Sequence, residues 1–293
     1  MSGIRGQVWL VTSAQFAQGE PGSPVLDAAL AARGIDARWV RWDDVSLDWR
    51  TPDLIAVRST WDYVTRIEKF LSWSRALPVG RLLNSAKLFV WNHDKAYLAE
   101  LVVSGEVPTV PTWVADSEAR VRAAVERVGV AVVKPAVGAG GDGLLVVSDG
   151  ADPRLRDLPG HRWVVQPLVE SVRSDGESSI FVLDGEVTSQ VDKWPGGGEV
   201  RVHEHRGGRS RRVGVDPVRA EVARSAYDWV ARRFPGRVDY LRVDLLHVDR
   251  QWSVSELELI EPGLYLDVTA DNAEPFARLV AKRLAEPAAA SLD

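Results

Sequence analysis

The chain has no cysteine among its 293 residues. This excludes a disulfide framework, a thiolate nucleophile and a cysteine-held zinc or iron–sulfur site. Histidine is scarce, with five in all. Long apolar runs are missing as well. The run at residues 8–11 is shorter than the apolar region of a signal peptide, and no stretch approaches the ~20 residues of a membrane span. Excess positive charge is also lacking. The count of 41 Asp and Glu against 36 Lys and Arg gives −5, which argues against a chain that mainly neutralises nucleic-acid phosphates. The expectation is a cytoplasmic protein with neither nucleic acid nor membrane as partner.

Hydrophobic residues make up 45% of the chain, enough for a sizeable core without staples. Patterning divides the chain into units at 1–91, 92–163 and 164–293. In the first, strands are expected at 8–12, 36–42 and 53–59. Helices are expected at 24–33, with Val25, Ala28, Ala29 and Ala32 on one side, and at 66–75. Alternation of this kind implies a small parallel α/β sheet. The second unit predicts helices at 95–104 and at 117–128, the latter capped by Asp116, then a strand, a glycine loop and a strand over 131–147. The third predicts a hairpin turning at Asp184-Gly185, a helix starting at Asp216-Pro217, two strands joined at 249–251 and a last helix at 274–284. The C-terminal part thus reads as α+β.

Four segments can carry chemistry. Five of the seven residues from 138 to 144 are Gly or Ala, including Gly138, Gly140 and Gly141, and Lys134 stands just upstream. Such a loop lets backbone N–H groups approach phosphate oxygens; the plain alternative is a flexible hairpin loop. It is neither a Walker loop, lacking Gly-Lys-Ser/Thr, nor a Rossmann fingerprint, since a strand follows it. Next, Arg242-x-Asp244 and Glu256-x-Glu258 each place two residues on one strand face. Their carboxylates suit Mg²⁺ that also holds phosphates, the alternative being a solvated polar face. Third, Arg201 lies among glycines at 193–208, where His203 and His205 read as exposed structural histidines. Fourth, RSTWDY ends a strand, so Arg58, Ser59, Trp61 and Asp62 are placed to meet a substrate, with Arg58 forking onto a carboxylate. For Trp61 and Tyr63 the alternative is packing under a loop. Seven of the twelve Trp fall within the first 91 residues.

Taken in order, Lys95, Lys134, the glycine loop, the QPLV segment, Arg201, Arg242-x-Asp244 and Glu256-x-Glu258 resemble the ATP-grasp superfamily over residues 84–265. The GGGEVR segment is similar to the bacterial glutathione synthetase and ribosomal-protein glutamate ligase branch. RSTWDY is similar to a small group that includes D-cycloserine synthetase. The resemblance implies an N-terminal α/β domain and two α+β lobes clamping ATP. Lys95 and Lys134 would bind the phosphates, with the glycine loop closing over them. Gln166, Pro167, Leu168 and Val169 would form the adenine hinge, and Glu177 would meet the ribose. Arg201 and Arg242 would stabilise the transferring phosphoryl group. Asp244, Glu256 and Glu258 would hold one or two Mg²⁺, with Mn²⁺ as the alternative ion. Many members carry Glu-x-Asn where this chain has Glu256-x-Glu258. Glu261, of opposite parity, is the weaker candidate.

The implied activity is that of an ADP-forming ligase. A small, amino-acid-like carboxylate becomes an acyl phosphate and an amine attacks it. Alternatives are ring closure within one substrate, a peptide-modifying ligase, a nucleotide-binding protein without turnover, and a plain structural domain. A homodimer is left open.

Overall fold

The computed structural model describes residues 6–234 and 236–286. The short Ala-rich tail of the sequence lies largely outside them. The chain builds three sheets. The first is parallel, in the order β2-β1-β3, from β1 (Gly6–Thr12), β2 (Ile35–Arg41) and β3 (Leu54–Ser59), with α1 (Ser23–Ala32) between the first two. Every residue of β3 is buried, as a strand covered on both faces requires. Leu26 and Leu30, rather than Val25 and Ala28, turn α1 toward the core. The larger side chains four apart win over the small alanines because they bury more apolar area. Helix α2 (Ile67–Ala76) buries Phe70, Leu71 and Ser74 as their spacing predicts. Two short helices, α3 (Ala86–Asn92) and α4 (Tyr97–Ser104), then cross to the far lobe. Their Leu88, Tyr97, Leu98 and Leu101 enter that lobe's core.

The second sheet, β4-β7-β5-β6, is antiparallel and is made of β4 (Trp113–Ala115), β5 (Ala131–Pro135), β6 (Leu145–Val147) and β7 (Trp163–Pro167). It extends to Pro167, so a boundary at 163 would cut β7. Helix α5 (Glu118–Val128) covers it through Val121, Ala124 and Val125. Its cap is Ser117, whose hydroxyl accepts from the Arg120 amide. The neighbouring Asp116 pairs with the Arg120 side chain instead.

The third sheet runs β10-β9-β8-β11-β12. It comprises β8 (Glu177–Leu183), β9 (Glu186–Trp194), β10 (Arg209–Val213), β11 (Tyr240–Val248) and β12 (Gln251–Glu258). The Asp184-Gly185 turn has both φ values positive, as a two-residue hairpin of this hand needs. Helix α6 (Pro217–Arg233) begins where Asp216 accepts from the Val218 and Arg219 amides. It covers one face of the sheet, together with α3 and α4. Helix α7 (Ala273–Ala285) packs back on α1 and joins the N-terminal sheet to the other face.

Alternation along β11 positions the site. Leu241, Val243 and Leu245 enter the core under α6, so Arg242 and Asp244 face the opposite way. On β12, Leu257 takes the core side and leaves Glu256 and Glu258 beside them, in the cross-strand pairs Arg242–Glu258 and Asp244–Glu256. The register shifts between Asp244 and Leu245. This bulge lets Val254 and Leu257, three apart, both enter the same core.

Candidate active site

A cavity of about 760 Å³ opens where the three sheets meet. Its lining includes Lys95, Lys134, Gly138, Gly140, Gly141, residues 166–169, Glu177, Arg201, Arg242, Asp244, Glu256 and Glu258, with Trp61 and Asp62 at the N-terminal side. Two of the expected residues, Arg58 and Ser59, are absent from its walls.

The lysines arrive from two directions. The Lys95 amide donates to the Ala136 carbonyl at 2.8 Å, and its ammonium donates to the Gly138 carbonyl, so the start of α4 is laced to the glycine loop. The same ammonium lies 3.1 Å from Glu256, and the Lys134 ammonium lies 4.0 Å from that acid's other oxygen. Burial lowers the Lys134 ammonium, partly offset by Glu256. Lys193, unremarked in the sequence, is a third buried cation. It pairs with Glu177 and lies 3.6 Å from Asp244. Burial disfavours its charge, but Asp244 and Glu177 outweigh that and hold it raised.

Arg242 bridges two acids. Its guanidinium donates to both Asp244 oxygens, at 3.0 and 2.8 Å, and to Glu258. Burial alone would raise the Asp244 carboxyl, but Arg242 and Lys193 outweigh it and hold the group well below its usual range. The Ser179 hydroxyl also donates to Asp244, at 2.6 Å. Burial pushes Glu258 up to about 8 against the pull of Arg242, and the Asp244 and Glu256 charges add to the rise.

The segment at 199–208 lies over the glycine loop. Arg201 pairs with Glu199, and its side chain packs so closely on Gly141 that a Cβ there would stand 2.9 Å from the Arg201 Cδ. Arg206 pairs with Asp142. His203 lines the cavity instead of standing free in solvent, and burial lowers it to about 4, so it is neutral near pH 7. The hinge residues face the cavity too. The Gln166 amide is pinned to the Thr112 hydroxyl at 2.9 Å, which leaves main-chain groups for recognition.

On the substrate side the expected role of Arg58 is corrected. Its side chain is fully buried, is paired with Glu20 at 2.9 Å and donates to the Pro262 carbonyl at 2.6 Å. Ser59 bonds the Thr12 hydroxyl at 2.7 Å. Strand β3 is buried on both faces, so neither side chain has a route to the cavity. Trp61 does reach it, with its ring edge-on to Phe16 and its N–H donating to the Glu261 carbonyl at 3.2 Å. Asp62 is occupied by Trp42 and Arg66. Tyr63 and Glu261, both weighed in the sequence, line this end too, together with Glu20 and Tyr265, which the sequence did not single out. Tyr265 follows closely on the metal-type strand, whereas Glu20 had no local signal.

Mg²⁺ suits the carboxylates of Asp244, Glu256 and Glu258 in donor chemistry, and the paired strands bring all three to the cavity wall. Among the described residues no three acidic or histidine side chains already stand together as a metal site. Each of these acids is drawn to Lys95, Lys134, Lys193 or Arg242. Those cations are also the groups that phosphate oxygens would attract. No described helix is long and apolar enough to cross a membrane.

Comparison with known proteins agrees with this fold. Residues 8–84 match the D-cycloserine synthetase DcsG N-terminal domain, and residues 101–233 match the prokaryotic glutathione synthetase ATP-grasp domain. The cycloserine biosynthesis protein DcsG of Streptomyces lavendulae is 32% identical over 303 aligned positions, covering 95% of this chain and 99% of that one. The crystal structure of D-cycloserine synthetase DcsG superposes with a TM-score of 0.83 at 30% identity, over 95% of this chain and all of that one. A RimK-domain ATP-grasp protein from Sphaerobacter thermophilus shares the fold at a TM-score of 0.67 and 17% identity, over 96% of this chain and all of that one. With an alignment of this length to DcsG, the chain belongs to the ATP-grasp family, in the group of D-cycloserine synthetase, and is an ATP-dependent ligase.

Proposed function

We propose that the protein transfers the ATP γ-phosphoryl group to a small substrate's carboxylate and that an amine then attacks the acyl carbon. The products are ADP, phosphate and a C–N bond. One observation carries this reading: Lys95, Lys134, Lys193, Arg201 and Arg242 line the same cavity as the carboxylates of Asp244, Glu256 and Glu258, beneath a glycine loop. Lys95, Lys134 and the loop would hold the phosphates, with residues 166–169 at the adenine and Glu177 at the ribose. Arg201 and Arg242 would offset charge on the transferring group. Mg²⁺ held by Asp244, Glu256 and Glu258, as one ion or two, would neutralise phosphate charge. The loop and the segment over it would exclude water, which would hydrolyse an acyl phosphate. No side-chain nucleophile is needed, in keeping with the absence of cysteine.

A second reading is ring closure within one substrate. It is favoured by the full-length likeness to a cycloserine biosynthesis protein. An ATP-grasp ligase, PsnB, solved in complex with a precursor peptide shares the fold at 15% identity. The test is ADP release against a panel of acids and amines with ATP and Mg²⁺. Turnover with one organic substrate supports cyclisation, and a requirement for two supports ligation. No ADP release with any of them would count against both.

A further inference from the structure

Strand β12 is the outer strand of its sheet and pairs only with β11. Its far edge should therefore present unpaired amide and carbonyl groups. One end of that edge is covered by main chain. The Val254 amide donates to the Pro108 carbonyl at 2.8 Å, and the Val254 carbonyl accepts from the Val110 amide at 2.9 Å. Past the bulge, at Leu257 and Leu259, no described strand lies alongside. Side chains take its place. The Asn92 side-chain amide donates to the Leu257 carbonyl at 2.8 Å and accepts from the Leu259 amide at 2.9 Å, the two bonds that a neighbouring peptide group would make. The Tyr97 hydroxyl accepts from the Leu257 amide and donates to the Leu257 carbonyl, both at 2.8 Å.

Both side chains are shut away from solvent, Asn92 at 7% exposure and Tyr97 at 2%. The Tyr97 ring packs on Trp91, with centroids 4.9 Å apart. Leu257 stands between Glu256 and Glu258 and puts its own side chain into the core. Holding its amide and carbonyl fixes its backbone, and with it the direction in which each flanking carboxylate leaves the strand. A buried peptide group without partners is costly, so the strand end would otherwise shift to find them. Lys95 lies in the same stretch, between the two. Its amide is bonded to the Ala136 carbonyl and its ammonium is 3.1 Å from Glu256. Residues 92–97 thus register β12 against the chain that leads into the glycine loop.

We infer that Asn92 and Tyr97 are positioning residues for Mg²⁺: standing in for the strand that β12 lacks, they set the spacing of the Glu256 and Glu258 carboxylates. The inference rests on the metal reading above and adds what holds that site in shape.

Calorimetry with a non-hydrolysable ATP analogue, in Mg²⁺ and in EDTA, separates the metal's contribution from the rest. The variants are Tyr97→Phe, which keeps the ring on Trp91, and Asn92→Leu, which removes the amide without adding charge. In EDTA both should bind the analogue as the wild type does, which also shows that they fold. The affinity gained on adding Mg²⁺ should fall about 10-fold or more, the usual effect of removing a group that orients a metal ligand. The Mg²⁺ concentration that gives half of that gain should rise by a similar factor. A merely structural role would lower the midpoint of chemical denaturation and leave the Mg²⁺ dependence alone. That result, or an equal loss of affinity in EDTA, would overturn the inference. An unchanged Mg²⁺ gain in Tyr97→Phe overturns it even where Asn92→Leu fails to fold. A wild-type protein that binds the analogue but gains nothing from Mg²⁺ would overturn the metal reading first, and the inference with it.

Discussion

Glu20 and Arg58 form an ion pair at 2.9 Å that solvent does not reach, although 38 residues separate them. The pair spends both charges on structure. One Glu20 oxygen holds Arg58 and the other takes the Leu264 amide, while Arg58 reaches on to the Pro262 carbonyl. The N-terminal domain is thereby fastened to the loop that follows β12. Replacing Arg58 by Met leaves Glu20 buried and unpaired. The expected loss of stability is about 3–5 kcal/mol, read by chemical denaturation. The double variant Glu20→Gln with Arg58→Met should lose less than Arg58→Met alone. A loss confined to activity, with normal stability, would instead restore Arg58 to substrate binding.

Asp244 has little room for replacement. It is 4% exposed and receives Arg242 and Ser179 while lying near Lys193. In Asp244→Asn the expected fall in ADP formation is about 10²-fold or more, comparable to removing one strong electrostatic contact at a reacting centre. The assay is steady-state ADP release at saturating Mg²⁺. Turnover at the wild-type rate would remove Asp244 from the proposed metal and phosphate machinery.

Gly141 has φ near +69° and lies against Arg201. An alanine there meets both strain and contact. The backbone cost is ~1–2 kcal/mol, which corresponds to a rise in KM for ATP of about 5- to 30-fold if the loop must keep this shape to bind phosphates. Nucleotide titration checks it, and an unchanged KM would show that the loop's conformation is not used.

His203 supplies a pH signature. Its folded-state value of about 4 lies below the ordinary 6.5 because of burial, so the docked loop holds the neutral ring. Its contribution is complete above pH 6.5 and is lost as pH falls toward 4, where the proton is taken up more readily by the undocked form. ATP affinity should weaken over that window in the wild type and be flatter in His203→Gln. Identical profiles would exclude His203 as the source.

Much of the phosphate end was legible in the sequence because it is local. A glycine loop near Lys134, and two-residue periods at Arg242/Asp244 and Glu256/Glu258, are patterns a strand and a loop impose directly. The substrate end was not, because it is assembled across the chain. Nothing near Arg58 in sequence announces that Glu20 will claim it, and Glu261 lies outside the parity of Glu256 and Glu258. Its environment comes from Trp61 and Tyr63, some 200 positions upstream. Strand β10 reads RSRRV, with no apolar alternation to signal it. Helix α3 is seven residues long, too short for its period to show. At α5, Asp116 and Ser117 are both good caps, and geometry alone decided for Ser117.

The central claim is that a substrate carboxylate takes phosphate from ATP in this cavity. Its most direct test follows ¹⁸O from a substrate labelled in the carboxylate. The account predicts that one ¹⁸O is transferred to inorganic phosphate for each ADP formed, and that Asp244→Asn loses both together. Phosphate free of label, with product still accumulating, would contradict it.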